Sequence, residues 1–193
     1  MATARPQPPR PWTVDEFLEW ERQQPERFEY VGGMIVMMVG GTSDHHTLTL
    51  NIGAALRSAL RGSGCRAYVE GMKVDAGAAT SYPDVVVTCA RVAPKQDLVV
   101  EPVVIVEVLS RSTETFDRGA KWLAYQTLPS LAQYVLVSQD ELKVEVFERD
   151  QGAWRYTILG DPQAELAFAV GGCTMTLAQI YEDTSLDPAA KAI

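Results

Sequence analysis

The chain has 193 residues, 47% apolar and 22% charged, with a mean hydropathy of −0.05; this composition excludes collagen-like, low-complexity and disordered classes and leaves an ordinary globular domain. Seventeen Lys and Arg against 25 Asp and Glu give a net charge of −8, which counts against a nucleic-acid binder unless a local basic groove or a bound divalent cation supplies the positive charge. No apolar run is long enough to span a bilayer, because the best stretch, around 99–109, is interrupted by Glu101 and Glu107.

In chain order, the start MATARPQPPRP is proline-rich and polar where a secretory signal needs an apolar stretch, so 1–12 reads as a flexible arm and the location as cytoplasmic. The length suits a single domain over 13–185, with a frayed tail over 186–193. Thr13 and Glu16 have the spacing of a capping box and open a short helix to about residue 22, docked by Phe17 and Trp20. Strand-like runs at 28–31 and 34–39 flank Gly32-Gly33, a pair suited to a hairpin with positive φ. Ser43 or Asp44 can cap a longer helix carrying Leu48, Ile52, Ala55, Leu56 and Ala59 on one face and ending near Gly62.

Strands are expected at 65–70, 72–75, 83–88 and 102–109. The last is almost continuously apolar, as a central strand covered on both faces would be, which makes Glu107 conspicuous. Ser112 or Thr113 then caps a second amphipathic helix over 114–128, with Phe116, Ala120, Leu123, Ala124 and Thr127 as its core stripe and Pro129 as its stop. Strands at 134–138, 142–149 and 154–159 and a short helix near 177–182 complete an α/β domain with a mixed central sheet. Cys65, Cys89 and Cys173 form an odd, scattered set without a CxxC pair, so they are expected to be small buried residues and neither a disulfide nor a zinc site.

Asp84, at the start of PDVVV, and Glu107, in VVIVEVLS, are the charges that most need explaining. On adjacent strands they could converge on one hard cation, since Mg²⁺ takes oxygen ligands and commonly uses one or two carboxylates plus substrate phosphate. The plainer alternative is a turn-capping Asp84 and a solvent-facing Glu107, which fits Glu107 poorly because valines flank it. Lys121 shares a helical stripe with Asp117 and Tyr125; it is either half of a surface ion pair with Asp117 or, since its helix leaves the end of the Glu107 strand, an amine able to reach the same phosphate. Glu29 and His45 are further candidates, each with a plain structural alternative, while His46 reads as solvent-facing. GxGxxG, GxxxxGK[ST], HExxH and GxSxG are all missing.

The ordered segments FEYVGGMIV, SDHHTLTLNI, YPDVVV, VVIVEVLSRST, TFDRGAKWLAY and LPSLAQYVLV resemble the Uma-two family of the restriction-endonuclease-like PD-(D/E)xK superfamily. The resemblance runs from about residue 28 to 137. It implies a restriction-endonuclease-like core, a mixed central β-sheet flanked by helices, with the active site where the PD and E strands diverge. It matches Asp84 to the metal-binding aspartate, Glu107 to the second acidic ligand and Glu29 to an upstream acid near the site. Leu109 stands at the usual lysine position, and Lys121 matches a lysine moved to the next helix. His45 and Tyr125 match a histidine and an aromatic residue of the family pattern. The implied activity is Mg²⁺-dependent hydrolysis of DNA phosphodiesters, with Mn²⁺ as a substitute ion and a homodimer as the assembly. Two alternatives stand beside it: a catalytically silent nuclease-fold binding or assembly module, and a metal-dependent hydrolase of another phosphate ester.

Overall fold

A computed structural model describes residues 12–38 and 40–190. The expected N-terminal arm up to residue 11, Val39 at the end of the second expected strand, and the last three residues of the expected tail lie outside the described residues.

Helix α1 (Val14–Glu21) starts with the reciprocal cap its sequence signals: the Thr13 side chain accepts from the Glu16 N–H and the Glu16 carboxylate accepts from the Thr13 N–H. Fully buried Phe17 stacks on Tyr30 at 5.7 Å, anchoring α1 to the first hairpin. That hairpin, β1 (Phe28–Val31) and β2 (Met34–Met37), turns through Gly32 and Gly33 at φ +58° and +81°, a double left-handed turn that favours glycine. Helix α2 (Ser43–Ala59) is capped by Thr42 rather than by Ser43 or Asp44. Thr42 has the extended backbone a cap requires, and its hydroxyl accepts the otherwise orphaned N–H of His45 at 3.2 Å.

Along the chain follow β3 (Arg66–Val69), β4 (Lys73–Asp75), β5 (Ala79–Ser81), β6 (Val85–Thr88), β7 (Leu98–Val99) and β8 (Pro102–Leu109). A broken helix leads on to β9 (Gln133–Ser138), β10 (Val144–Asp150) and β11 (Ala153–Leu159). A small ribbon, β12 (Glu165–Ala167) with β13 (Thr174–Thr176), precedes the final helical turn, Leu177–Ile180. The central sheet has the order β11-β10-β9-β8-β6-β3. Its β8–β9 pair is parallel and the others antiparallel, so it is the mixed sheet the patterning predicts. The second sheet, β2-β1-β5-β4-β7, includes strands of two and three residues, too short to leave a period in the sequence.

Because side chains alternate along a strand, β8 serves two cores. Val104, Val106 and Val108 join Leu48, Ile52 and Leu56 of α2, each of these buried apolar side chains contributing about 1.5–3 kcal/mol. Ile105 and Leu109 face the other way, into a core with Val31, Val74 and Ala79 of the second sheet and Tyr125. Glu107 lies on this second side. Helices therefore cover one face of the central sheet, while the other is shared between the small sheet and the broken helix.

That helix differs from the expected regular one. It runs as α3 (Glu114–Phe116), a π-helical turn (Asp117–Lys121) and α4 (Trp122–Tyr125). A π turn takes up an extra residue, so a stripe read at ordinary helical spacing falls out of phase beyond it. Leu123, expected in the core, is 65% exposed, and Thr127 is exposed as well, whereas Asp117, Lys121 and Tyr125 turn inward.

The cysteine expectation is corrected too. Cys65 and Cys89 form a disulfide, and only Cys173 of the three is a buried free thiol. Antiparallel pairing of β3 with β6 sets Arg66 opposite Thr88, so the next positions outward, 65 and 89, face each other across the strands. Linear spacing carries no trace of that register. Among the described residues no helix is long and apolar enough to cross a membrane.

Candidate active site

The register of β6 with β8 builds the centre. Val85 pairs with Val106, so Asp84 and Glu107, one position further on, sit opposite each other on the same face of the sheet. The Val108 N–H donates to Asp84 Oδ2 at 2.6 Å. His45 in the first turn of α2 brings its Nε2 to 3.3 Å from Asp84 Oδ1, and the Asp84 side chain is 15% exposed.

The π turn delivers the lysine. Lys121 Nζ lies 3.2 Å from Glu107 Oε1, 3.1 Å from Glu29 Oε1 and 2.9 Å from Asp117 Oδ1. The last contact is close enough for an ion pair but poorly aimed for a hydrogen bond. One turn on, the Tyr125 hydroxyl donates to Glu107 Oε1 at 3.1 Å and meets Ser81 Oγ at 2.5 Å. Glu29, reached from β1, accepts the Tyr82 N–H at 2.8 Å. Glu29, Glu107, Asp117 and Lys121 are all buried.

Three buried carboxyl groups therefore surround one ammonium. Burial drives the Glu107 carboxyl well above the ordinary carboxylate range; Lys121 opposes this, while Asp117, Asp84 and Glu29 add to it by like-charge repulsion. Glu29 is raised for the same leading reason, with Lys121 and the Tyr82 N–H opposing. For Lys121 burial alone would favour the neutral amine, but Glu107, Glu29 and Asp117 together outweigh it and hold the ammonium firmly charged. His45 is likewise pushed down by burial, yet Asp84, with Glu70 and Asp117 adding to it, outweighs that and raises it above its ordinary value.

These groups open onto a cleft of about 590 Å³ lined by Glu29, His45, Asp84, Glu107 and Lys121, with His46 and Glu70 at one side. Of the residues singled out from sequence, Asp84, Glu107, Lys121, Glu29 and His45 thus share one cavity, and Tyr125 stands behind them on Glu107. Sequence reasoning passed over Asp117, whose spacing to Lys121 looked like a surface pair, and Ser81, Tyr82 and Glu70, which carry no local signal. His46 is exposed as expected, but its Nδ1 is 2.8 Å from Glu70 Oε1. Chemically, the site offers oxygen donors for a hard cation, a fixed ammonium beside them, and space for a substrate.

Residues 14–178 match the model of the Uma2 family, described as "Putative restriction endonuclease". An uncharacterized protein of Synechocystis sp. is 34% identical over 144 residues, covering 72% of this chain and 76% of its own length. Another from the same organism is 32% identical over 165 residues, covering 81% and 92%. A crystal structure from Anabaena variabilis, described as "a putative nuclease belonging to DUF820", superposes with a TM-score of 0.73 at 18% identity, covering 89% of this chain and 98% of that one. At that identity the likeness speaks for the fold.

Proposed function

The chain belongs to the Uma2 family, and from that premise we propose that it is a metal-dependent nuclease hydrolysing nucleic-acid phosphodiesters, with DNA as the substrate and Mg²⁺ or Mn²⁺ on Asp84 and Glu107. The observation that carries the reading is the charge imbalance of the site. Glu29, Glu107 and Asp117 share a single ammonium, and Asp84 adds a fourth acid at the cleft. Excess negative charge in a buried place is costly unless protons or a cation compensate it. The donor set fits the ion, since two cross-strand carboxylates are what Mg²⁺ commonly takes from a protein, with water and phosphate completing the shell.

Asp84 is aimed by the Val108 N–H and touched by His45. Glu107 is held by Tyr125 and Lys121, which leaves its carboxylate oriented toward the cleft. An ion held by Asp84 and Glu107 would supply polarisation of the scissile phosphate and a lowered pKa for an attacking water. Lys121, fixed by Glu29 and Asp117, places a positive charge where the phosphate acquires negative charge and orients the water beside Glu107. Cutting both strands of a duplex would use two copies of the chain, which light scattering of the purified protein reads directly.

The test combines calorimetric titration of Mn²⁺ with cleavage of plasmid and single-stranded DNA, in the parent chain, Asp84→Asn and Glu107→Gln. Expected are Mn²⁺ binding and chelator-sensitive cleavage in the parent and the loss of both in each variant. Binding without cleavage of any nucleic acid would transfer the reading to a silent module or another phosphate ester. Absence of binding would remove the enzyme reading altogether.

A further inference from the structure

Beside the acidic pair lies a second cluster of different chemistry. Among the described residues, one ligand atom from each of His45, His46 and Glu70 comes within 4.8 Å of the other two. His46 Nδ1 and Glu70 Oε1 are 2.8 Å apart, and the two imidazole rings stand edge to face at 5.5 Å. We propose that His45, His46 and Glu70 form a separate site for a borderline divalent transition metal such as Zn²⁺ or Co²⁺ at the side of the cleft.

Three observations support it. The first is the donor set: two imidazoles and one carboxylate suit borderline ions, whereas Mg²⁺ prefers oxygen alone. The second is reach. Ligands about 2.0–2.2 Å from one ion stand roughly 3.4 Å apart in tetrahedral geometry, so the cluster needs a modest inward shift, and His46 and Glu70 have side chains 53% and 46% exposed and room to make it. The third is the backbone that presents Glu70. Glu70 occupies the left-handed region at φ +51° without being glycine and leads into Gly71 at φ +79°. Its N–H donates to the Asp84 carbonyl at 2.9 Å, so this unfavourable turn is tied to the strand that carries the proposed catalytic aspartate. Strain of this kind persists where surrounding structure imposes it.

The site would matter for charge. The cleft lining contains Glu29, Glu70, Asp84, Glu107 and Asp140 against Arg27, Arg111 and Lys121. A polyanion entering such a cleft gains from any further cation, and an ion held by three protein ligands keeps an open position for a phosphate oxygen or water. His45 Nε2, only 3.3 Å from Asp84 Oδ1, places that ion next to the acidic pair.

The experiment uses the full, untagged chain, stripped with chelator and titrated with Co²⁺, whose visible bands report nitrogen ligation, with equilibrium dialysis counting bound metal. It is run in a Glu107→Gln background so that the acidic pair does not contribute. Expected is one Co²⁺ per chain in that background, an affinity at least tenfold weaker after adding His46→Ala or Glu70→Gln, and no displacement by millimolar Mg²⁺. Thermal melts of these exposed-residue variants verify folding. Unchanged Co²⁺ spectra and affinity in His46→Ala and Glu70→Gln, or displacement by Mg²⁺, would overturn the proposal. Loss of Mn²⁺ binding by Glu107→Gln in the parent chain is a separate result and bears only on the acidic pair.

Discussion

Val108 donates its backbone N–H to the Asp84 carboxylate at 2.6 Å, so the strand that carries Glu107 also orients the aspartate opposite it. The two acids are therefore set relative to each other by the β6–β8 register and by this contact.

Asp84→Asn and Asp84→Ala should differ for this reason. Asparagine keeps an oxygen for the Val108 N–H and loses only charge, so the variant is expected to melt with the parent while failing to bind Mn²⁺. Alanine leaves that N–H without its partner and costs about 1–3 kcal/mol besides. Equal melting temperatures for the two variants would show that the contact does not orient the side chain.

Lys121→Ala removes the one ammonium among three buried carboxyl groups. Breaking a buried pair from one side costs about 3–5 kcal/mol, roughly 6–20 °C in Tm for a chain of this size. Adding Glu29→Gln should recover part of the loss, because it removes one of the charges left uncompensated. The same variant should retain Mn²⁺ binding and lose turnover. A melt unchanged by Lys121→Ala would mean the cluster is not assembled in solution.

Metal binding should be linked to protons. Burial, reinforced by Asp117, Asp84 and Glu29 against the opposing pull of Lys121, raises the Glu107 carboxyl. Below that raised value the group is protonated, and a carboxyl must ionise before it can ligate. Mn²⁺ affinity is thus expected to fall as pH drops and to rise until Glu107 is ionised. Calorimetry in two buffers of different protonation enthalpy should show proton release that grows as the pH is lowered toward the raised value; identical heats in both buffers at every pH would contradict the raised value.

Thiol counting checks the disulfide. Unfolded without reductant, the chain should react with one equivalent of thiol reagent, from Cys173, and with three after reduction. Replacing Cys65 and Cys89 by serine should lower stability by about 3.5 kcal/mol, the loop-entropy value for a span of 24 residues. Three reactive thiols without reductant would contradict the pairing.

Much of this molecule was legible in its one-dimensional pattern. The capping box at Thr13 and Glu16, the Gly32-Gly33 hairpin and the strand Pro102–Leu109 appear where local chemistry signals them. Glu107 was conspicuous because a carboxylate amid valines violates the hydrophobic period of its own strand. Lys121 was harder, since its spacing to Asp117 suits a solvent-exposed pair equally well. Only the π turn, which sequence periodicity does not reveal, rotates both residues inward and sends Leu123 out to solvent.

What the amino-acid order determined alone was the list of elements and the identity of the misplaced charges, because burial period, caps and turns act over a few residues. What tertiary structure decided was which distant groups meet: Asp84 with Glu107, Glu29 with Lys121, Cys65 with Cys89, Glu70 with His46. Those meetings depend on strand register and helix phase. A shift of one residue in register turns a strand side chain to the opposite face, and one residue along a helix turns a side chain by about 100°, so the choice is settled by the packing of the whole sheet.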